Sequence, residues 1–440
     1  MKIHLIAIGG SAMHNMALAL HHKGYIITGS DDAIFSPSKE RLEKTGLLPR
    51  ETGWFEEKIT NNLDAVIVGM HANKNNPELR KAQKIGIPIY SYPEYIYEQA
   101  KEKKRIVIGG SHGKTSITAM ILHVLKNLNI DCDYMVGAQL DGFNTMVKIT
   151  DEASIIILEG DEYLSSPIDR RPKFHLYHPH IAVLSGIAWD HINVFPTFEN
   201  YIEQFRIFKN MVSETLFYCS EDEELNKLAK EKSECKLIGY STPDYKVSHG
   251  ITSIKGKDLL IFGQHNLQNL SAARLVCKEL GVSEEDFLNQ IASFKGASRR
   301  LELFKENTET SIYKDFAHSP SKLKATCNAV REQFPNRKLV ACMELHTFSS
   351  LNENFLAQYK DSMNVAHEAI IYFSEKTITH KKLKAITKEQ ILKAFGRKDI
   401  LVFTNPNKLA KYLANQNWKN KNLLMMSSGE FGKINLDNII

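Results

Sequence analysis

One stretch decides the fold: Ile106-Val107-Ile108-Gly109-Gly110-Ser111-His112-Gly113-Lys114-Thr115-Ser116. A run of β-branched residues leads into paired glycines, and an apolar segment with helical spacing, Ile117 to Leu128, follows. This order predicts a strand, a tight loop and a helix. Glycines let such a loop turn its backbone N–H groups towards phosphate oxygens, and the helix N-terminus adds a favourable dipole. The stretch therefore predicts a phosphate-binding loop in an α/β domain.

The same loop supplies the side chains expected at a nucleotide. Lys114 would reach the terminal phosphates, and the Thr115 hydroxyl would ligate Mg²⁺. The spacing differs from the standard phosphate loop, which has a glycine where Ile108 stands, so we expect a shorter variant anchored by Gly110 and Gly113. The alternative is an ordinary glycine-rich turn, which the strand before it and the helix after it disfavour.

Composition and charge limit the classes of protein that fit. The chain has 440 residues, of which 43% are hydrophobic and 24% charged, as in a soluble globular protein. A formal net charge of +5 without a long basic run argues against nucleic acid as the main partner. No apolar run is long enough for a membrane span, and we expect no signal peptide. Six cysteines without paired spacing indicate reduced thiols, so we expect a cytoplasmic protein.

The first segment of the chain predicts a second glycine turn between a strand and a helix. Apolar residues 2–8 lead into Gly9-Gly10-Ser11, and a helical pattern and a second strand follow before Asp31. This order resembles a dinucleotide-binding fold, although Asn15 stands where its third glycine would be. The turn favours a bound diphosphate or nucleotide, with Asp31 placed to accept from a ribose hydroxyl. The alternative is a turn that only packs a strand against a helix.

Polar side chains follow two strands downstream of the phosphate loop. Glu159 opens a run of carboxylates after the predicted strand 154–158, and His191 follows Asp190 after the predicted strand 181–185. Open α/β sheets place their ligands at the carboxyl ends of strands. Glu159 is therefore predicted to hold Mg²⁺, and His191 either holds a second metal ion or is structural.

A charged insertion, residues 169–174, lies between these two strands. It contains Arg170, Arg171 and Lys173. The insertion is either a solvated loop or a patch that faces an anionic substrate.

The last part of the chain adds two clusters. Asn266 and Asn269 precede a predicted helix from Leu270, and they would cap it or bond a base edge. Arg299 and Arg300 lie at the next domain boundary, where paired arginines suit a phosphate clamp. A third α/β segment follows, and we predict a helix at 352–365 within it.

These three α/β segments, in this order and with these motifs, resemble the Mur ligases over essentially the whole chain. The positions that carry the resemblance are the phosphate loop (Gly110, Ser111, His112, Gly113, Lys114, Thr115 and Ser116), the Mg²⁺ glutamate (Glu159), a second metal ligand (His191), an adenine motif (His265 to Asn269, with Asn266 and Asn269), the γ-phosphate arginine (Arg300) and a residue near the ribose (Asp315).

The resemblance implies the fold and the reaction. It implies a Rossmann-like UDP-sugar-binding domain at 1–104, a central P-loop ATPase-type parallel-sheet domain at 105–297 and a Rossmann-like C-terminal α/β domain at 298–440. The implied enzyme is a monomer or weak homodimer that uses ATP and Mg²⁺ to form an amide through an acyl phosphate in peptidoglycan assembly. A plain nucleotide hydrolase or kinase, or a non-catalytic relative, fits this order of segments less well.

Within that family, Gly9-Gly10-Ser11 and Asp31 resemble the branch whose donor is UDP-N-acetylmuramate with a free lactyl carboxylate. Two activities share this donor: one adds L-alanine in biosynthesis, and the other adds recycled L-alanyl-γ-D-glutamyl-meso-diaminopimelate. The run 159–163 and the insertion resemble the recycling enzyme, so we expect the tripeptide as acceptor and L-alanine as the alternative. The side chains expected to contact donor and acceptor are Gly9, Gly10, Ser11, Asp31, Arg170, Arg171 and His346.

Overall fold

Four parallel strands form the first sheet of the computed structural model, which describes residues 1–189, 194–297, 300–437 and 439. Its elements are β1 (Lys2–Ile6), α1 (Ser11–His22), β2 (Ile26–Ser30), α2 (Ser38–Lys44), a 3₁₀ turn (Glu56–Lys58), β3 (Ala65–Val68), α3 (Pro77–Ile85), β4 (Ile89–Ser91) and α4 (Tyr92–Ala100). The strand order is β2-β1-β3-β4. β1 ends two residues before the predicted end because Ala7 adopts a φ of 67° and starts the glycine turn.

The second sheet has seven strands with β5 at its centre. Its elements are β5 (Lys104–Gly109), α5 (Lys114–Asn127), β6 (Asp133–Met135), β7 (Val147–Lys148), β8 (Ile155–Glu159), a 3₁₀ turn (Lys173–Tyr177), β9 (Ile181–Leu184), α6 (Phe198–Met211), β10 (Thr215–Cys219), α7 (Glu223–Lys230) and β11 (Lys236–Tyr240). The order is β11-β10-β9-β5-β8-β6-β7, and only the edge strand β7 pairs antiparallel. Because β8 and β9 flank β5, the residues after these three strands meet at one sheet edge.

These two sheets belong to one compact unit, which comprises Met1–Ser241 and Asn269–Phe287. Hydrogen bonds join the two segments: Asn15 Oδ1 accepts from the Met146 backbone at 2.9 Å, and Arg41 donates to Gln139 Oε1 at 3.0 Å. The glycine turn at the start of α1 is thereby fixed relative to the central sheet.

The second unit, Thr242–Gln268 and Leu288–Ile440, holds a small antiparallel sheet and a six-stranded sheet. The elements of this part of the chain are β12 (Lys246–Ser248), β13 (Ile251–Ile254), β14 (Lys257–Leu259), α8 (Gln264–Glu279), α9 (Glu284–Ile291), β15 (Glu302–Glu306), β16 (Ser311–Asp315), α10 (Pro320–Gln333), β17 (Lys338–Glu344), α11 (Glu353–Leu356), a 3₁₀ turn (Ala357–Tyr359), β18 (Glu368–Tyr372), α12 (Glu375–His380), α13 (Lys388–Phe395), β19 (Leu401–Phe403), α14 (Pro406–Ala414), β20 (Lys421–Met426) and a 3₁₀ turn (Phe431–Lys433). The larger sheet has the order β15-β16-β20-β17-β18-β19, in which only β15 is antiparallel.

The predicted fold class, three α/β segments with their own mostly parallel sheets, is confirmed. The predicted helix at 352–365 is wrong, because the chain is helical only to the end of the 3₁₀ turn and Asp361 then adopts a φ of 61°. The hairpins of β12 to β14 were also not predicted. Their turns, His249-Gly250 and Lys255-Gly256, have positive φ at both residues, as two-residue hairpin turns require.

Two predictions from composition can be compared with the described residues. All six cysteines are buried free thiols. Among the helices of the described ranges, none is both long enough and apolar enough to cross a bilayer.

Candidate functional site

The phosphate loop lies between β5 and α5, and two of its positions require glycine. Gly110 has a φ of 128°, and a Cβ there would lie 2.1 Å from Ser185 Oγ. Gly113 has a φ of 77°, and a Cβ there would lie 2.4 Å from Asn269 Oδ1. Side chains are thus excluded by conformation and by space, and the Asn269 amide is held against the loop. α5 begins at Lys114, three residues earlier than predicted, so Lys114 and Thr115 lie in its first turn.

The Lys114 ammonium is held between the loop and a buried carboxylate. Nζ donates to the Gly110 carbonyl at 2.6 Å and to Glu162 Oε2 at 2.5 Å, and it lies 4.0 Å from Asp161 Oδ1. Burial acts to lower the pKa of Lys114, but the carboxylates of Glu162 and Asp161 outweigh it and the pKa is raised. Lys114 is therefore a fixed positive charge at the mouth of the loop.

Thr115 and Glu159 meet where the sequence predicts a magnesium ion. Thr115 Oγ1 donates to Glu159 Oε1 at 2.9 Å, and Glu159 Oε2 accepts from the Gly137 backbone at 2.7 Å. A hydroxyl and a carboxylate oxygen at one point are hard ligands of the kind that Mg²⁺ prefers, so these residues fit the ion. His191, the other predicted metal ligand, lies outside the described residues.

Two residues beside Lys114 were not predicted. Glu162 is 1% exposed, and its second oxygen accepts from the Tyr201 hydroxyl at 2.9 Å. The Tyr201 hydroxyl also pairs with Ser111 Oγ of the phosphate loop at 2.8 Å. The sequence carries a signal for Glu162, since it follows Glu159 in one acidic run, but none for Tyr201, which comes from α6.

A cavity of about 280 Å³ joins the first glycine turn to the predicted metal ligands. It is lined by Ser11, Ala12, Tyr92, Met135, Val136, Gly137, Met146, Val147, Glu159, Asp161 and Lys173. Lys173 Nζ donates to Asp161 Oδ2 at 2.5 Å, so a cation and two carboxylates face the same space. One end of the cavity is thus the start of α1 and the other end is the edge of the central sheet.

The first glycine turn is closed by Asp31. Asp31 Oδ2 accepts from the Gly9 backbone at 2.7 Å, and burial together with Asp32 raises the pKa of Asp31. One of the two Asp31 oxygens therefore holds the turn. α1 starts after Gly10, which offers no side-chain cap, and a helix start of this kind suits a phosphate group.

The insertion closes into a small loop, with an isolated bridge between Leu164 and Pro172. Arg171 pairs with Asp169 at 2.6 Å and with Glu94 of α4 at 3.2 Å, and Arg170 and Arg171 are both exposed. The guanidinium of Arg171 therefore links the loop to the first segment. The role of both arginines as substrate contacts stays a prediction.

In the second unit, Arg300 and Asp315 lie on either side of one backbone turn. Asp315 accepts from the backbones of Leu301 at 2.5 Å and Ala317 at 2.6 Å, and burial raises its pKa. The Arg300 guanidinium lies 4.9 Å from the centre of the Phe316 ring. Asp315 thus holds the segment that carries Arg300. Arg299, the other predicted clamp residue, lies outside the described residues.

The predicted adenine motif forms the first turns of α8, which begins six residues before the predicted helix start. The Asn266 side chain donates to the Phe262 carbonyl at 3.0 Å, so its amide is oriented by the preceding segment.

His346 lies after β17, beside a buried glutamate. His346 Nδ1 is 3.7 Å from Glu344 Oε1, and Glu344 also accepts from Ser427 and from the Phe431 backbone. Burial acts to raise the pKa of Glu344, but its bonds to His346 and Ser427 outweigh it and the pKa is lowered. Glu344 is thus a buried anion that orients His346.

Three models of Mur ligase domains match successive parts of the chain. The Mur ligase family catalytic domain matches residues 2–104, the Mur ligase middle domain 108–277 and the Mur ligase glutamate ligase domain 299–429. The predicted site residues that the structure describes lie within these ranges.

Known proteins resemble the chain along most of its length. A UDP-N-acetylmuramate–L-alanine ligase of Streptococcus mutans is 30% identical over 403 residues, which are 87% of this chain and 84% of that protein. The solved UDP-N-acetylmuramate–alanine ligase of Thermotoga maritima has a TM-score of 0.71 at 21% identity, with 98% of this chain and 97% of that chain covered. A murein peptide ligase of Psychrobacter arcticus has a TM-score of 0.65 at 22% identity, with 100% and 98% covered. At these identities the two structures show a shared fold.

Proposed function

The chain belongs to the Mur ligase family of ATP-dependent amide-forming ligases, and we propose that it joins UDP-N-acetylmuramate to L-alanyl-γ-D-glutamyl-meso-diaminopimelate. The observation that carries the proposal is the cavity between the α1 start and Glu159, with Lys173 of the insertion in its wall. In this proposal the enzyme acts in the cytoplasm, where cell-wall peptides are recycled.

Each domain has a proposed task. Residues 1–104 bind the UDP-sugar, 105–297 bind ATP and 298–440 bring the acceptor and Arg300. The uncapped start of α1 takes the diphosphate, and Ser11 directs the sugar into the cavity. The lactyl carboxylate then points towards Glu159 and Thr115, the two residues that would hold Mg²⁺.

The chain's own residues neutralise and position the reacting groups. Lys114 and Arg300 offset the charge on the transferred phosphoryl group, and the backbone N–H groups of the loop cradle the other phosphates. Mg²⁺, when bound, would supply a further positive charge to the phosphates and to the donor carboxylate. The carboxylate attacks the γ-phosphate to give an acyl phosphate and ADP. The acceptor amine then attacks that acyl carbon and releases phosphate.

The insertion supports the tripeptide as acceptor. A tripeptide that ends in diaminopimelate carries several carboxylates beyond the reacting amine, whereas L-alanine carries one. Lys173 lines the cavity, and exposed Arg170 lies at the outer side of the same short loop. In this proposal the carboxylates of a longer acceptor contact both cations, since guanidinium groups suit carboxylates. The proposed contact is therefore Arg170, with Arg171 holding the loop.

L-Alanine remains the second candidate acceptor. The similarity to the Streptococcus mutans ligase favours it, since the name of that protein gives L-alanine as its substrate. The two candidates share the donor, ATP and every residue proposed for phosphoryl transfer. They differ only in what lies beyond the reacting amine.

The test is product identification with both acceptors present. The purified chain is incubated with UDP-N-acetylmuramate, ATP, Mg²⁺ and equal concentrations of tripeptide and L-alanine. The nucleotide products are then identified by their masses in mass spectrometry. We expect UDP-N-acetylmuramoyl-tripeptide, formed with one ADP and one phosphate per molecule. Accumulation of UDP-N-acetylmuramoyl-L-alanine instead would contradict the proposal and favour the second candidate.

A further inference from the structure

Lys114 has a buried anionic partner at the place where it must serve ATP. Its ammonium donates to Glu162 at 2.5 Å and to the Gly110 carbonyl at 2.6 Å. The Glu162 side chain is 1% exposed and the Lys114 side chain 13% exposed. The ammonium has a third N–H, and a phosphate that accepts from it is brought close to the Glu162 carboxylate, which carries a like charge.

Glu162 is itself held by a directed series of hydrogen bonds. The Tyr201 hydroxyl donates to Glu162 Oε1 at 2.9 Å, and the Ala188 backbone donates to Ser111 Oγ at 2.9 Å. The Tyr201 proton is already given to Glu162, so the 2.8 Å contact between Tyr201 and Ser111 requires Ser111 to be the donor. The series thus runs from the segment after β9, through the phosphate loop, to the partner of Lys114.

The burial of Tyr201 and Glu162 keeps these hydrogen bonds in one geometry. Tyr201 is fully buried among Phe195 and Phe205, so its hydroxyl stays in one place. A carboxylate at 1% exposure is costly unless its oxygens are bonded, and here both have donors. When Lys114 also donates to a phosphate, both Glu162 oxygens can keep their donors, Lys114 on Oε2 and Tyr201 on Oε1.

We infer that Glu162 and Tyr201 are positioning residues that hold Lys114 against the phosphate loop and aim its ammonium at the incoming phosphates of ATP. Glu162 sets the direction of the Lys114 side chain, and it lowers the affinity for ATP because it is a like charge beside the phosphates. Tyr201 keeps Glu162 aligned with Ser111 of the loop. The inference rests on ATP binding at the loop and is independent of the identity of the acceptor.

The first test removes the charge of Glu162 and keeps its shape. Glu162→Gln should bind the non-hydrolysable analogue AMP-PNP with Mg²⁺ about fivefold more tightly by calorimetry, the change expected for one like charge removed a few ångströms from a phosphate in water. The kcat of phosphate release should fall about tenfold or more, since Lys114 loses its alignment. A role limited to folding would weaken binding and rate together.

The second test keeps the charge of Glu162 and removes its hydrogen bond from Tyr201. Tyr201→Phe retains the buried ring and loses only the hydroxyl. The affinity for AMP-PNP should stay within about twofold of the parent protein, because no charge changes, while kcat falls. This variant also serves if Glu162→Gln does not fold, which thermal unfolding would reveal. An unchanged kcat in folded Tyr201→Phe would contradict the inference.

A matched control and a Mg²⁺ titration complete the design. Glu78 is a fully buried glutamate paired with His4 in the first segment, so Glu78→Gln should leave AMP-PNP affinity unchanged. Weaker AMP-PNP binding by Glu162→Gln, or a higher Mg²⁺ requirement, would overturn the inference and make Glu162 a structural residue or a metal ligand. Since no acceptor is present in the binding assays, failure of the proposed acceptor leaves these results intact.

Discussion

The phosphate loop and the insertion each contain a short ion pair, but the two pairs do different work. Lys114 and Glu162 are 2.5 Å apart with side chains 13% and 1% exposed. Arg171 and Asp169 are 2.6 Å apart, but 58% of the Arg171 side chain is exposed. A buried pair fixes a charge in one place, whereas an exposed pair contributes little free energy. Both regions are rich in charged residues, and burial distinguishes the pair that we propose to act on ATP from the pair at the surface.

The largest effect should come from Lys114. Lys114→Ala is expected to lower kcat/KM about a hundredfold or more, because a fixed charge at the transferred phosphoryl group is lost. Phosphate release measures the rate, and circular dichroism with thermal unfolding checks the fold. A folded variant with near-normal turnover would show that the buried pair is structural like the exposed one.

The predicted metal ligands should give the next effect. Glu159→Ala and Thr115→Val are each expected to raise the Mg²⁺ concentration for half-maximal activity about tenfold, since metal sites respond strongly to loss of their oxygen groups. The control is Glu94→Ala, which removes a carboxylate that pairs with the insertion. If all three variants need the same Mg²⁺ concentration for half-maximal activity, Glu159 and Thr115 are structural residues at the sheet edge and not metal ligands.

Arg170 tests the function of the insertion. Arg170→Ala should raise the KM for the tripeptide about fivefold, the upper range for an exposed charge pair, and leave the KM for ATP unchanged. Steady-state kinetics with each substrate varied in turn gives both values. An equal change in both values would mean that the loop does not select the acceptor.

Arg171 should have the smallest effect. Arg171→Ala is expected to lower the free energy of unfolding by less than about 1 kcal/mol, since 58% of the Arg171 side chain is exposed. Chemical denaturation measures this change. A KM for the tripeptide raised more by Arg171→Ala than by Arg170→Ala would reverse the roles that we assign to the two arginines.

The sequence predicts most of the central sheet because its motifs are local. The β5 strand, the glycines of the loop and the strand-end position of Glu159 follow from residues near one another in the chain. Tyr201 could not be predicted, since it reaches Glu162 from α6 across 39 residues and looks like any core tyrosine. The ion pair of Arg171 with Glu94 could not be predicted either, because the two residues are 77 positions apart in the chain. Contacts between distant elements depend on packing, which no local pattern records.

The antiparallel strands at 246–259 show a different limit. Their signal is local, in two glycine-containing turns, and no hairpin is predicted there from the sequence. The helix expected at 352–365 fails for a related reason, since its apolar residues have helical spacing and the backbone turns at Asp361. Turn geometry therefore overrides periodicity at both places.

The tripeptide and L-alanine are distinguished most directly by the ratio of their kcat/KM values, measured by phosphate release with saturating UDP-N-acetylmuramate and ATP. We expect a ratio of tripeptide to L-alanine above one in the parent protein, and a lower ratio in Arg170→Ala. A ratio below one in the parent protein would contradict this expectation, and the chain would then be a ligase that adds L-alanine.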